Sequence, residues 1–382
     1  MRIAVDARPA AFPQKSGIGY YTWHLIRRLP LVDRGSSYVA WYLNFRALLG
    51  QGRHPFGRDL PPNLLERSTP FPAQLFERLS ERFDRPRIER FVRFDLLFAP
   101  NFVPPPTRAR RLVLTVHDLA FKLFPETAPQ STRWWLARLD RAIASASRVI
   151  AVSEATRKDL IDLYGVAEDR VAVVPHGVDH DLFRPSPPGD VVRVRQGFGI
   201  DGPYLLSLGG IEPRKNLPRL IEAFSRLPAD LDPMLVVAGG EAEWNPEGPN
   251  LLRSALSAAP ENVRRRIVLT GYVSEQDKVA LIGGAESLVY PSLYEGFGLP
   301  VAEAMACGTP VITSNVSAHP EVAGGAALLV DPTDTGAIAL AIERLLRDDD
   351  LKERLRTAGI LRAAEFDWEQ TARRTAAILH QA

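Results

Sequence analysis

Residues 290–314 read YPSLYEGFGLPVAEAMACGTPVITS. The run SLVYPS reads as a strand ending at Ser292. Gly296 and Gly298 follow in a loop, and a helix opens near Pro300, because proline suits the first helical turn. Glycines just before a helix N-terminus let backbone N–H groups approach a ligand, and the helix dipole favours negative charge there. The segment therefore reads as an anion site of the phosphate type. Gly308 is placed to end the helix, and TPVITS starts another strand.

The same alternation runs outward in both directions. Before it come PYLLSLGG, NLPRLIEAFSRL, MLVVAGG, RIVLTGYV and SEQDKVALIGGA; after it comes AALLVDP. The first half repeats the pattern with RIAVDA, YYTWHLIRRL, RLVLTVHD, TRWWLARLDRAIASA, RVIAVS, EATRKDLIDLY and RVAVVPHG. Short apolar strands alternating with helices predict parallel sheets covered on both faces. Between the series, Pro185, Pro187, Pro188 and Gly189 leave no room for regular structure and place a domain boundary near 180–195. The chain divides into 1–185 and 190–365, two doubly wound α/β domains, and the helical segment at about 366–382 has the spacing to cross back onto the first. In such sheets ligands sit at the C-terminal ends of strands.

A length of 382 residues suits two cores, and 46% apolar with 24% charged residues is an ordinary globular mix. No stretch approaches the roughly 20 apolar residues that span a bilayer. MRIAVDARPA reads as a first strand, without the basic leader and cleavage site of a secretion signal. Cys307 is the single cysteine, which excludes an intrachain disulfide and a cysteine-built zinc site. These features set the expectation of a cytoplasmic protein. Residues 1–200 carry 30 Lys/Arg against 20 Asp/Glu, leaving 17 against 25, so the halves are +10 and −8. A basic first half fits an anionic acceptor or membrane surface, and it fits ordinary surface variation equally.

Three more loops carry polar residues at strand ends. Glu303 lies one turn inside an otherwise small, apolar helix. An unpaired buried charge is costly, so it requires a partner, either a ribose diol or a nearby arginine. Glu295, eight positions earlier, sits in the loop and is expected to be free to reach the cleft. Its company with the anion site favours the ligand reading. In SLGGIEPRKNLPRLIEAF, Arg214 and Lys215 precede a helix start, where cations oppose the dipole unless an anionic ligand such as a diphosphate accompanies them. His117 and Asp118 follow a strand directly, a position that is either structural or suited to a sugar hydroxyl. Ser16, Gly17, Ile18 and Gly19 form a glycine loop without the full dinucleotide fingerprint.

These segments together resemble the retaining glycosyltransferases of family 4. The resemblance covers nearly the whole chain and is carried by SGIGYYTWHL, VHDLAF, AVSEATRKDL, VVPHGVD, GGIEPRKNL, GYVSE and YEGFGLPVAEAMACGTPVITS, the last holding the Glu-x7-Glu pattern as Glu295 and Glu303. It implies the GT-B fold, two facing Rossmann-like domains with a deep cleft between them, the first binding acceptor and the second donor. It implies that Glu303 binds ribose hydroxyls, that Glu295 and the backbone of Phe297, Gly298 and Leu299 lie against the donor sugar and phosphates, and that Arg214 and Lys215 hold the diphosphate. His117 would contact the donor sugar, Gly17 and Gly19 would line the cleft opposite, and Tyr272 and Val273 would meet the base. Many members carry an arginine five residues before the lysine; Gly210 stands there here, which leaves Arg214 as a replacement by another route or Lys215 nearly alone.

The resemblance implies transfer with retention of configuration, guided by the departing phosphate. No Asp-x-Asp signature occurs in a suitable loop, Asp348, Asp349 and Asp350 reading as a solvated turn, so metal-independent transfer without a cofactor is expected. The IEPRKN loop is similar to that of bacterial mannosyltransferases, which makes GDP-mannose the leading donor and a glycan or lipid-linked saccharide the acceptor. UDP- and dTDP-sugars fit nearly as well. A GT-B-fold sugar-nucleotide epimerase is a rival reading, and no nucleic-acid partner is expected. The segment 71–94, with Leu75, Phe76, Leu79 and Phe83 among arginines, suits either peripheral contact with an anionic membrane through the first domain or packing against the first sheet.

Overall fold

The computed structural model describes residues 1–12, 15–45, 55–57, 59–125, 132–241 and 247–382, with backbone only for 132–135. The chain forms two compact units. The first comprises Met1–Leu119, Gln130–Gly177 and Trp368–Ala382; the second comprises Ala120–Pro129 and Val178–Asp367. Residues 120–129 and 178–185, assigned by the sequence pattern to the first domain, thus fall in the second unit.

Among the described residues of the first unit, seven strands form one parallel sheet: β1 Arg2–Asp6, β2 Ser37–Leu43, β3 Leu64–Thr69, β4 Leu96–Ala99, β5 Leu112–Val116, β6 Arg148–Ala151 and β7 Val171–Val173, in the order β3-β2-β1-β4-β5-β6-β7. The second unit holds β8 Tyr204–Leu208, β9 Met234–Ala238, β10 Ile267–Gly271, β11 Ser287–Tyr290, β12 Val311–Ser314 and β13 Leu328–Val330, ordered β10-β9-β8-β11-β12-β13 and again parallel. Central strands such as β5 and β8 are buried throughout, which is why they read as continuous apolar runs rather than alternating ones. In each sheet the strand order reverses once, between β1 and β4 and between β8 and β11. Loops leaving those paired strands diverge to opposite faces and open a crevice.

The helices follow from spacing and caps. In Leu217–Ser225 the buried residues Leu217, Leu220, Ile221 and Phe224 make one stripe at helical period. Glu154–Tyr164 starts on the Ser153 hydroxyl, which accepts from Thr156 N, and ends on left-handed Gly165. The proline-rich linker is not irregular as expected. Pro188 opens a helix to Phe198, since a first-turn proline lacks only an N–H that has no intrahelical acceptor anyway. Asp348 caps the helix Asp349–Ala363 through Leu351 N, so the acidic triplet is a helix start rather than a solvated turn.

In segment 71–94 the helix Ala73–Phe83 buries Phe76 against Phe71 and Trp41, while Leu75 and Phe83 remain exposed. Among the described residues no helix is long and apolar enough to cross a membrane.

The helix Trp368–Gln381 sends Trp368, Ala372, Ile378 and Leu379 into the same core as Ile3, Tyr21 and Leu25 of the first unit. Gly177 makes room for it: a Cβ there would stand 2.4 Å from Trp368 N and 2.6 Å from its Cα. Backbone cannot yield as a flexible side chain does, so Gly177→Ala is expected to cost about 1–3 kcal/mol. Chemical denaturation checks this, and unchanged stability would mean the two segments separate without loss.

Candidate functional site

The switch point between β8 and β11 gathers the loops that the sequence singled out. After β11 the chain reaches Gly298, which adopts a left-handed φ of 98° and caps the helix Leu299–Ala306, with Pro300 in its first turn. A side chain at 298 would be strained and would stand 3.2 Å from His319 Cδ2, so glycine is required twice over. First-turn amides of a helix lack intrahelical acceptors and lie at its positive pole. That is the physical content of the anion site.

After β8 a short 3-10 turn, Pro213–Lys215, presents Arg214 and Lys215 beside this loop. Asn216, left-handed at φ 61°, holds the turn there by donating from Nδ2 to the carbonyls of Pro291 (3.0 Å) and Pro332 (2.7 Å). Both cations converge on Glu295: Arg214 Nη1 lies 2.6 Å from Oε1, and Lys215 Nζ donates to the same oxygen and to the Tyr290 hydroxyl. Tyr290 donates to Glu295 Oε1 at 2.9 Å, and Arg214 Nε donates to Glu212 Oε2 at 2.7 Å. Ser317 closes the ring by accepting from Glu295 N at 3.1 Å and donating to Glu295 O.

Glu295 is only 8% exposed, so it is not free in its loop as expected; an isolated buried carboxylate would be prohibitively unstable, and the two cations compensate it. Burial pushes its pKa up, but Arg214 and Lys215 overcome this and hold the carboxyl well below the usual range. Burial, with Arg214 nearby, lowers the Lys215 pKa against the pull of Glu295. Glu295 is therefore a fixed anion at neutral pH, able to accept hydrogen bonds and not to supply a proton.

Glu303 has a protein partner, and it is a lysine rather than an arginine or a free site. Lys278 Nζ lies 3.3 Å from Glu303 Oε1 and 3.1 Å from Glu275 Oε2, and stands 4.7 Å over the Phe183 ring. Burial raises the Glu303 pKa against the attraction of Lys278. Phe297 is buried edge-on to Phe366 at 5.3 Å. Tyr272 is 62% exposed and Val273 buried, on the loop that leaves β10 at left-handed Gly271.

The remaining expected residues lie in the first unit. His117 follows β5 and is buried; its Nε2 donates to the Pro100 carbonyl at 2.9 Å, which leaves Nδ1 as acceptor toward His176 Nε2 at 3.4 Å. Tyr21 packs edge-on against both rings at 4.8 Å. Burial lowers the His117 pKa to about 4, so the ring is neutral. Gly17 and Gly19 are not in a loop: they form the first turn of the helix Gly17–Val32, capped by Ser16, whose hydroxyl accepts from Gly19 N at 3.2 Å.

The structure thus unites Arg214, Lys215 and Glu295 beside the Gly298 helix start and sets Glu303 apart with Lys278. Sequence reasoning missed Glu212, Tyr290, Ser317, Lys278, His176 and His319. Only the strand-end positions of Tyr290 and His176 gave any signal.

The charge cluster has a pH signature. Because the Glu295 pKa lies below its unfolded value of about 4.3, the stability it contributes is complete above that pH and drains away as pH falls toward the folded value. Glu295→Gln leaves Lys215 without its carboxylate and Arg214 with Glu212 alone, and is expected to cost about 3–5 kcal/mol at pH 7. The difference from wild type should shrink below pH 4 in urea titrations. A gap independent of pH would show that charge is not its origin.

Comparison with known proteins gives the frame for these residues. The model for Glycosyl transferases group 1 matches residues 192–362, and that for Glycosyltransferase Family 4 matches residues 15–182. The chain is 30% identical over 386 residues to O-antigen chain mannosyltransferase B of Escherichia coli, covering 98% of each. It is 32% identical over 241 residues to a serotype-specific mannosyltransferase of that species, covering 62% of this chain and 28% of that one. Among solved structures it resembles sucrose-phosphate synthase from Thermosynechococcus elongatus (TM-score 0.74, 22% identity, 100% of this chain and 98% of that one). It also resembles the Anabaena protein HepE in complex with UDP and glucose (TM-score 0.72, 20% identity, 100% of each). Those likenesses are to the GT-B fold. Two adjoining family models and a relative matched end to end agree, and the chain belongs to the glycosyltransferases of family 4.

Proposed function

We propose that this glycosyltransferase moves mannose from GDP-mannose to a glycan or lipid-linked saccharide, with retention of configuration and without a metal. The observation that carries the reading is the meeting of Arg214, Lys215 and Glu295 beside the Gly298 helix start. Breaking a sugar–diphosphate bond develops negative charge on the leaving diphosphate. Two cations and a helix N-terminus fixed in advance stabilise that charge where it appears, at no reorganisation cost. Glu295, held ionised, accepts from sugar hydroxyls, and its grip keeps both cations in place. Arg214 reaches the cluster from the position next to Lys215, which answers the absence of an arginine at 210.

In this reading Glu303 takes the ribose hydroxyls in concert with Lys278, the backbone of Phe297 to Leu299 takes the phosphates, and Tyr272 and Val273 meet the base. The first unit binds acceptor. Mannose is supported by the relatives named O-antigen chain mannosyltransferase and serotype-specific mannosyltransferase, and GDP-mannose by the similarity of the IEPRKN loop to that of bacterial mannosyltransferases. A cytoplasmic site of action at the inner face of a membrane fits a lipid-linked acceptor, with exposed Leu75 and Phe83 among arginines as the contact.

Thermal-shift titration with GDP, UDP and dTDP tests the donor site, GDP being expected to stabilise most. Failure of all three at millimolar concentration would sink the reading, and preference for UDP would replace GDP alone. Lys215→Ala is expected to weaken diphosphate binding about 10- to 100-fold, the worth of a hydrogen bond to a charged group, with folding preserved because Arg214 still pairs with Glu295. Transfer rates in EDTA should equal those in magnesium. NMR of the product anomer decides between retention and inversion.

A further inference from the structure

His319 opens the short helix His319–Ala323 that follows β12, and its side chain is completely buried. The ring stands edge-on to Tyr290 at 5.7 Å. A Cβ built at Gly298 would lie 3.2 Å from His319 Cδ2 and 3.5 Å from Nε2, so the Nε2 edge of the ring is laid against the residue that caps the anion-site helix. Neither ring nitrogen makes a hydrogen bond among the described residues. The Val316 carbonyl lies toward the ring and favours a protonated nitrogen, but the geometry does not close.

An imidazole buried without partners loses about 1–3 kcal/mol for each unmade bond. The charged groups around it are Glu295, Lys215 and Arg214. Burial dominates, the two cations reinforce it, and the ring pKa falls to about 4 against the pull of Glu295. The histidine is neutral at pH 7, with one N–H donor and one acceptor. Arg214, Lys215, Glu295, Tyr290, Asn216 and Ser317 are each paired within this cluster. The group left over is a donor-bearing ring at the mouth of an eight-residue helix that favours anions.

We propose that His319 is a direct ligand of the donor diphosphate, its ring N–H joining the backbone amides at Gly298 and the first helical turn to hold a phosphate oxygen. The assignment rests on the donor-site reading above and adds a residue to it. Gly298 acts in two ways, turning the chain into the helix and putting no Cβ between the imidazole and that helix start. Keeping the ring neutral lets it donate to the phosphate without adding a third positive charge beside Arg214 and Lys215.

The test is calorimetric titration of GDP, UDP and dTDP, with guanosine, uridine and thymidine as controls, into wild type, His319→Leu and His319→Gln. His319→Leu is expected to bind the preferred diphosphate about 10- to 100-fold more weakly, with nucleoside binding unchanged. Its ligand-free melting temperature should equal or exceed wild type, because the substitution removes an unsatisfied polar ring. His319→Gln keeps an N–H donor and should recover part of the affinity. Equal diphosphate affinity in all three proteins overturns the assignment and leaves the donor site standing. Parallel loss of nucleoside and diphosphate binding with a lower melting temperature in both variants overturns it in favour of packing. Absence of diphosphate binding by wild type removes the donor site and His319 together.

Discussion

A carboxylate kept ionised in the interior requires compensation from fixed positions, and Glu295 imposes that requirement on the whole switch point of the second sheet. Arg214 and Lys215 come from the loop after β8 and Glu295 from the loop after β11, so their ion pairs exist only because those strands are neighbours in the sheet. Asn216 pins one loop to the backbone of the other, and Ser317 pins Glu295 from a third. The Gly298 helix start is thus attached to a charge network held from three loops. Buried ion pairs contribute little net stability, but breaking one is severe, which fits a network whose worth lies in positioning.

Much of this was legible in the chain. Continuous apolar runs gave the buried parallel strands, because residues covered on both faces need no alternation. Gly296, Gly298 and Pro300 gave the helix start, since backbone freedom and a fixed φ leave few alternatives. The family came from the Glu-x7-Glu segment and the motifs around it. β2, β3 and β4 were passed over although Gly35, Pro61, Pro62, Pro70 and Pro100 stand at their ends, because no helical run as regular as those elsewhere in the chain sets off these strands.

Partners were harder to read than positions. Glu303 stood out as a charge on an apolar helix, but Lys278 reaches it from 25 residues away in sequence, and no spacing rule connects residues on two different helices. His176 and His117 are 59 residues apart and meet because β5, β6 and β7 are successive neighbours. The glycines at 17 and 19 suggested a loop because glycine weakens helices. Here the Ser16 cap offsets that cost, and Gly19 is demanded by the Pro9 carbonyl, which a Cβ would approach to 2.8 Å.

The close passage of Gly177 and Trp368 has a temporal side. Most of the second unit, residues 178–367, is inserted between positions 177 and 368 of the first, and within that insert Val178 N donates to the Phe366 carbonyl at 3.0 Å. The core around Ile3, Tyr21 and Leu25 lacks Trp368, Ala372, Ile378 and Leu379 until residues 368–381 have been synthesised. On the ribosome, the charge network of the second unit is therefore complete in the nascent chain before the core of the first unit closes.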